Sequence, residues 1–195
     1  KSFDNGKIIK DWIKTAIIGK PNAGKSSLLN AILKEDRAIV TDIAGTTRDT
    51  IEEFVTINGV PLNLVDTAGI REASDEVEKI GVEKSIKQAN DADLIIAIFD
   101  SSKDLEEEDI EILNLINGKK SIILLNKSDL NSKIDENDER FTSITKNILK
   151  ISALNKSGID ELYEKIAELF NLNEINLDNE ILITNIRHKN IISKS

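Results

Sequence analysis

Eight consecutive residues carry the strongest chemical signal in the chain: Gly19-Lys20-Pro21-Asn22-Ala23-Gly24-Lys25-Ser26. The spacing G-x-x-x-x-G-K-S is that of a phosphate loop. Its glycines let successive backbone N–H groups turn inward on a β-phosphate, at the positive end of the helix that follows. Asn22, Ala23, Gly24, Lys25, Ser26 and Ser27 line the phosphates in this reading. Lys25 bridges the β- and γ-phosphates, and the Ser26 hydroxyl binds Mg²⁺. Such a string also arises by chance as a glycine turn, so it needs support from elsewhere.

Three further boxes follow in order. Asp66-Thr67-Ala68-Gly69 closes an apolar run. Asp66 can hold Mg²⁺ through water, and the Gly69 N–H can reach a γ-phosphate. Asn126-Lys127-Ser128-Asp129 follows another apolar run. The Asp129 carboxylate can accept from both N1–H and N2–H of guanine, whereas adenine offers neither donor. The wrong base leaves a buried polar group unpaired, which predicts discrimination by several orders of magnitude. Ser152-Ala153-Leu154 can offer a backbone N–H to guanine O6. Together the four boxes predict a guanine nucleotide, GTP or GDP, as ligand.

Between the first two boxes sits Thr41-Asp42-Ile43-Ala44-Gly45-Thr46-Thr47-Arg48-Asp49. A threonine in such a loop coordinates Mg²⁺ when a γ-phosphate is present, and its release on hydrolysis is the switch. Thr47 takes that role here, with a plain solvated loop as the alternative.

These boxes need a scaffold that brings loop ends to one rim. Apolar runs alternate with helix-period segments, the mark of β/α crossovers and a mostly parallel sheet. Six strands are expected: Trp12–Ile18, Ile51–Ile57, Val60–Val65, Leu94–Phe99, Ser121–Leu125 and Ile148–Ile151. Asn58-Gly59 predicts a hairpin, hence one antiparallel strand at the sheet edge. Helices are expected over Ser26–Leu33, Val77–Gln88, Leu105–Ile116 and Ile159–Phe170, on both faces of the sheet. Lys34–Thr50 and Thr67–Glu76 read as long loops, functional or mobile, and Asn131–Glu139 as a solvated surface loop.

The 195 residues are about one domain's worth. The absence of cysteine excludes disulfides, thiolate metal sites and a cysteine nucleophile. A net charge of −9 argues against broad electrostatic binding to nucleic acid or anionic membrane, though not against a partner that carries RNA. No apolar run reaches the length of a membrane span and no signal peptide opens the sequence, so a cytoplasmic, membrane-free protein is expected. A start at Lys1 and the lack of methionine suggest an excised fragment.

The string around Gly19–Asn30, together with Gly45-Thr46-Thr47-Arg48-Asp49, resembles the Era/Der/MnmE branch of translation-factor-related GTPases. Thr67-Ala68-Gly69-Ile70-Arg71-Glu72 followed by Asp75–Ser85 is similar to the bacterial tRNA-modification GTPase family MnmE, also called TrmE. The ends agree: Gly6–Lys10 resembles that family's exit from a helical domain, and Thr184–His188 its re-entry. The resemblance implies a Ras-like P-loop GTPase fold, with a mostly parallel six-stranded sheet. It divides the chain into a helical-domain remnant over 1–10, a G domain over 11–172 and a second remnant over 173–195.

The same resemblance implies GTP hydrolysis activated by K⁺ and by homodimerisation of G domains across their switch faces. It would serve modification of the tRNA wobble uridine together with the FAD-dependent partner MnmG (GidA). A tetrahydrofolate derivative would bind only in a family domain that this chain lacks. By motif position Asn22, Thr41, Ile43 and Thr46 form the K⁺ site, and Thr41 and Thr46 also line the nucleotide. Position 70 is isoleucine and cannot orient water; Glu78 takes that catalytic role by resemblance. Arg48 and Arg71 read as salt-bridge residues ordering the switches or the dimer contact, with arginine fingers as the alternative. His188, the single histidine, reads as non-catalytic, and Trp12 as a packing anchor at the sheet edge. Two other functions stay open: a ribosome-assembly GTPase of the Era or Der type, and a GTP-dependent interaction module that does not hydrolyse.

Overall fold

The computed structural model of the chain describes residues 12–35, 38–41, 52–67, 70 and 81–170. Its strands are β1 (Ile13–Ile18), β2 (Ala38–Thr41), β3 (Glu53–Ile57), β4 (Val60–Leu64), β5 (Leu94–Asp100), β6 (Ser121–Asn126) and β7 (Ile148–Lys150). The helices are α1 (Lys25–Lys34), α2 (Gly81–Asp91), α3 (Glu107–Ile116), the short α4 (Glu139–Thr142) and α5 over 159–170.

The strands form one sheet in the order β2-β3-β4-β1-β5-β6-β7. β1 lies at the centre and pairs in parallel with β4 and β5, while β6 and β7 continue the parallel run. β6 is buried at all six positions, as an apolar strand covered on both faces must be. β3 runs antiparallel to both β2 and β4. The β3–β4 hairpin turns at Asn58 (φ 49°) and Gly59 (φ 83°), two left-handed residues whose twist matches that of the flanking strands.

Two cores cover the faces. On one, Ile17, Ile96 and Leu124 pack with Leu28 and Ile32 of α1 and with Leu162, Tyr163 and Ile166 of α5. On the other, Ile18, Ile95 and Phe99 pack with Ala89 of α2, Leu113 and Ile116 of α3 and Phe141 of α4. Phe99 and Phe141 meet edge to face at 5.3 Å between centroids, a geometry that contributes about 0.5–1.5 kcal/mol beyond burial.

Four expectations are corrected or refined. The sheet has seven strands, because Ala38–Thr41 pairs with β3 inside the stretch read as polar loop. Four residues carry too little periodicity to reveal a strand, and the hydrogen bonds to β3 supply what the sequence does not. The antiparallel strand is therefore internal, and β2 takes the edge. The stretch read as a solvated loop over Asn131–Glu139 is mostly exposed but buries Ile134 and leads into α4. Trp12 does act as a packing anchor, but beside the central strand: its ring meets Phe54 of β3 at 5.1 Å.

Candidate functional site

Parallel strands deliver their C-terminal ends to one rim, and in open α/β sheets that rim holds the ligand. Gly19 follows β1, Asp66 follows β4, Asp100 ends β5 and Asn126 ends β6. The phosphate loop leaves β1 over a tight contact, since a Cβ on Gly19 would lie 2.6 Å from the Ile98 carbonyl oxygen. It then passes Asn22 at φ 62° and Gly24 at φ 112° before opening α1. α1 begins with no side-chain cap and no acidic residue in its first turn. Its N-terminal field is therefore left to an anion supplied from outside the helix. The Lys25 ammonium donates to the Gly19 carbonyl at 2.6 Å, across the mouth of the loop.

Asn126 ties the boxes together. Its side-chain nitrogen donates to the Ala23 carbonyl at 2.8 Å, and its side-chain oxygen accepts from the Ala153 N–H at 3.0 Å. One buried amide thus joins the phosphate loop, the Asn126–Asp129 box and the Ser152–Leu154 box. Asp129 accepts from the Ser152 hydroxyl at 2.7 Å, and the Asn155 N–H donates to that hydroxyl at 3.3 Å. Leu154 is 79% exposed beside them.

The Ser26 hydroxyl donates to the Ile70 carbonyl at 2.6 Å, which brings the residue that follows the second box against the start of α1. Asp66, at φ 58°, has its carboxylate held by Lys84 at 2.8 Å and by Gln88 at 2.6 Å, both from α2. A hydroxyl and a carboxylate are the hard oxygen donors that Mg²⁺ accepts, so this donor set fits that ion. Thr67 is buried, and Thr41 ends β2. Ile43, Thr46, Thr47, Arg48, Ala68, Gly69, Arg71, Glu78 and His188 lie outside the described residues, as do both expected helical-domain remnants.

Comparison with known proteins places this architecture. A family model described as "50S ribosome-binding GTPase" matches residues 14–127. The chain belongs to that GTPase family. Among curated relatives it is 58% identical over 190 residues to the tRNA modification GTPase MnmE of Lachnoclostridium phytofermentans, covering 97% of this chain and 41% of the relative. It is 56% identical over 195 residues to the tRNA modification GTPase MnmE of Finegoldia magna, covering 100% of this chain and 42% of the relative. The chain thus spans about two fifths of the length of the curated relatives it matches. Among solved structures, Era of Aquifex aeolicus bound to GDP.AlF4− is 31% identical at a TM-score of 0.55, over 80% of this chain and 56% of that one. The G domain of the T. maritima FeoB iron transporter is 31% identical at a TM-score of 0.55, over 81% of this chain and 98% of that one.

This GTPase domain also uses residues that the motifs do not reveal. Lys20 reaches out of the phosphate loop to Asp109 at 2.9 Å and to Glu106 at 2.5 Å, at the start of α3. Burial pushes the lysine pKa down, but the two carboxylates outweigh it and hold the value above the ordinary one. Asp109 and Glu106 form a capping box there, so the lysine closes onto a helix N-terminus already fixed by reciprocal bonds. The Glu106–Asp109 spacing was a visible signal; its partner 89 residues earlier was not. No helix among the described residues is long and apolar enough to cross a membrane.

Proposed function

We propose that this chain is the G domain, over 11–172, of a GTPase serving tRNA wobble-uridine modification. Its turnover would be activated by K⁺ and by pairing of two G domains across their switch faces. The observation that carries the guanine-nucleotide reading is Asn126, whose single amide holds the phosphate loop and the base-reading loops on one rim. The tRNA-modification reading is supported by the relatives named MnmE, at 49–58% identity over nearly the whole chain. An FAD-dependent MnmG partner, tRNA reached through that complex, a cytoplasmic setting and a tetrahydrofolate derivative in a separate domain come with the same reading.

The chain's residues divide the work by chemistry. The α1 N-terminus and its left-handed entry at Gly24 receive phosphate oxygens through backbone N–H groups. The Lys25 ammonium exchanges the Gly19 carbonyl for the β- and γ-phosphates, a charge-assisted pairing stronger than a neutral one. Asp129 accepts both guanine N–H donors, and Ser152 fixes its carboxylate. Ser26 and Thr47, with Asp66 through water, would hold Mg²⁺, which supplies positive charge against the phosphate oxygens. Asn22, Thr41, Ile43 and Thr46 would hold K⁺, which supplies the charge that other GTPases draw from an arginine. Asn22 fits such a role as an exposed side-chain oxygen on the phosphate loop. Glu78 would orient the attacking water.

The test is turnover of GTP and ATP by the chain in KCl and in NaCl, with sedimentation in the presence of GDP–aluminium fluoride. GTP-selective turnover that is faster in KCl, with association in KCl alone, is expected. Equal rates and equal association in the two salts would remove the K⁺ mechanism. Tight GTP binding without turnover would leave the non-hydrolysing interaction module.

A further inference from the structure

The Asn126–Asp129 loop turns at Lys127, which sits at φ 64°. Left-handed backbone is unfavourable for a residue that carries a side chain, so its neighbours must hold it there. Some of the hold is local: the Leu130 N–H donates to the Lys127 carbonyl at 2.9 Å, and the Ser128 N–H to the Ile151 carbonyl at 3.0 Å. The rest comes from the end of β5, where Asp100 is in register with Asn126. The Lys127 ammonium meets the Asp100 carboxylate at 2.6 Å. Asp100 is itself fixed by the Ser102 N–H at 3.0 Å and the Ser102 hydroxyl at 2.6 Å. Next to it, the Ser101 N–H and hydroxyl both donate to the Asn126 carbonyl, at 2.9 and 2.7 Å. None of the four nucleotide boxes contains Asp100, Ser101 or Ser102.

The Asp100 side chain is only 10% exposed and that of Lys127 31%. Burial pushes the Asp100 carboxyl up, but Lys127 and Ser102 outweigh it and hold the group below its ordinary value, so it is charged at neutral pH. Asp100 also borders a hollow under the phosphate loop with Lys20, Pro21 and Ala23. Lys20, however, spends its ammonium on Glu106 and Asp109. The Asp100 carboxylate is directed to Lys127.

We propose that Asp100 is a positioning residue for guanine recognition, holding Lys127 in its left-handed turn and through it the direction of Asp129. The inference rests on the reading of Asp129 as the guanine acceptor. The experiment is titration of GDP and ADP into the chain, Asp100→Asn, Lys127→Met and the double variant. A charged hydrogen bond lost from the site predicts a rise of about tenfold in the GDP dissociation constant for Asp100→Asn. In the Lys127→Met background the same substitution should change it less than about twofold, because its route of action is gone. Ser102→Ala keeps the carboxylate and loosens it, and is expected to weaken GDP in the same direction by a smaller factor. A chain that prefers GDP yet loses equally in both backgrounds would overturn the proposal alone. Binding of ADP as tight as GDP would overturn the reading of Asp129 and the proposal with it.

Discussion

Gly24→Ala separates two costs that the phosphate loop imposes on its sequence. The first is backbone strain: Gly24 sits at φ 112°, where a Cβ costs about 1–2 kcal/mol wherever it occurs. The second is local, because the added carbon would overlap the Asn126 side-chain nitrogen. That amide donates to Ala23 at 2.8 Å and accepts from Ala153 at 3.0 Å. Ala23, Asn126 and Ala153 are all buried, at 3–4% exposure, so no water replaces a lost bond. Displacing the amide removes two hydrogen bonds at about 1 kcal/mol each and leaves buried groups short of partners at about 1–3 kcal/mol. The sum is about 4–7 kcal/mol, a large part of the roughly 5–15 kcal/mol that holds a domain folded. Gly59→Ala is the matched control. Gly59 is also left-handed, at φ 83°, with nothing within 4 Å of an added carbon, so it should lose only the strain, about 1–2 kcal/mol. Urea unfolding followed by circular dichroism measures both losses. If Gly24→Ala cost no more than Gly59→Ala, backbone strain alone would explain it, and the role given to Asn126 would fail.

Asp129→Asn should weaken GTP and favour xanthosine triphosphate, whose C2 carbonyl pairs with an amide donor; competition titration of the two nucleotides checks it, and unchanged preference refutes it. Lys20→Met should destabilise the chain by about 1–3 kcal/mol, because Asp109, 5% exposed, keeps only the Glu106 N–H as a hydrogen-bond partner among the described residues. Urea unfolding reads that loss, and Lys20→Arg should recover most of it. Glu78→Ala should abolish GTP turnover while leaving GTP affinity and association in KCl intact, since it acts on water and not on the phosphates; a parallel loss of affinity would contradict this. The lowered pKa of Asp100 contributes stability above its ordinary value of 3.8, and that contribution disappears as pH falls through the lower folded value. The stability gap between the chain and Asp100→Asn should therefore be full at pH 7 and close on the acid side of 3.8. A gap that widened on acidification would reverse the sign of the argument.

The nucleotide boxes were legible because each is a short run whose chemistry and backbone demands are written locally. Gly24 supplies a left-handed entry to a helix, and Asn58-Gly59 supplies a hairpin with two left-handed residues; both needs arise within a few residues. The buried strands β5 and β6 were equally plain, since an uninterrupted apolar run of that length has few alternatives to a strand covered on both faces. β2 was not legible, because four residues become a strand only when β3 lies alongside to bond them. α4 was hidden for a similar reason: its one buried residue, Phe141, has a destination only once Phe99 is in place. The supports of the site belong to the tertiary structure as well. Lys20 with Asp109, Asp100 with Lys127 and Asn126 with Ala23 are 89, 27 and 103 residues apart. Local sequence determined which groups can bind a nucleotide. Only the parallel sheet, by ending its strands on one rim, decided which distant charges and amides hold those groups in place.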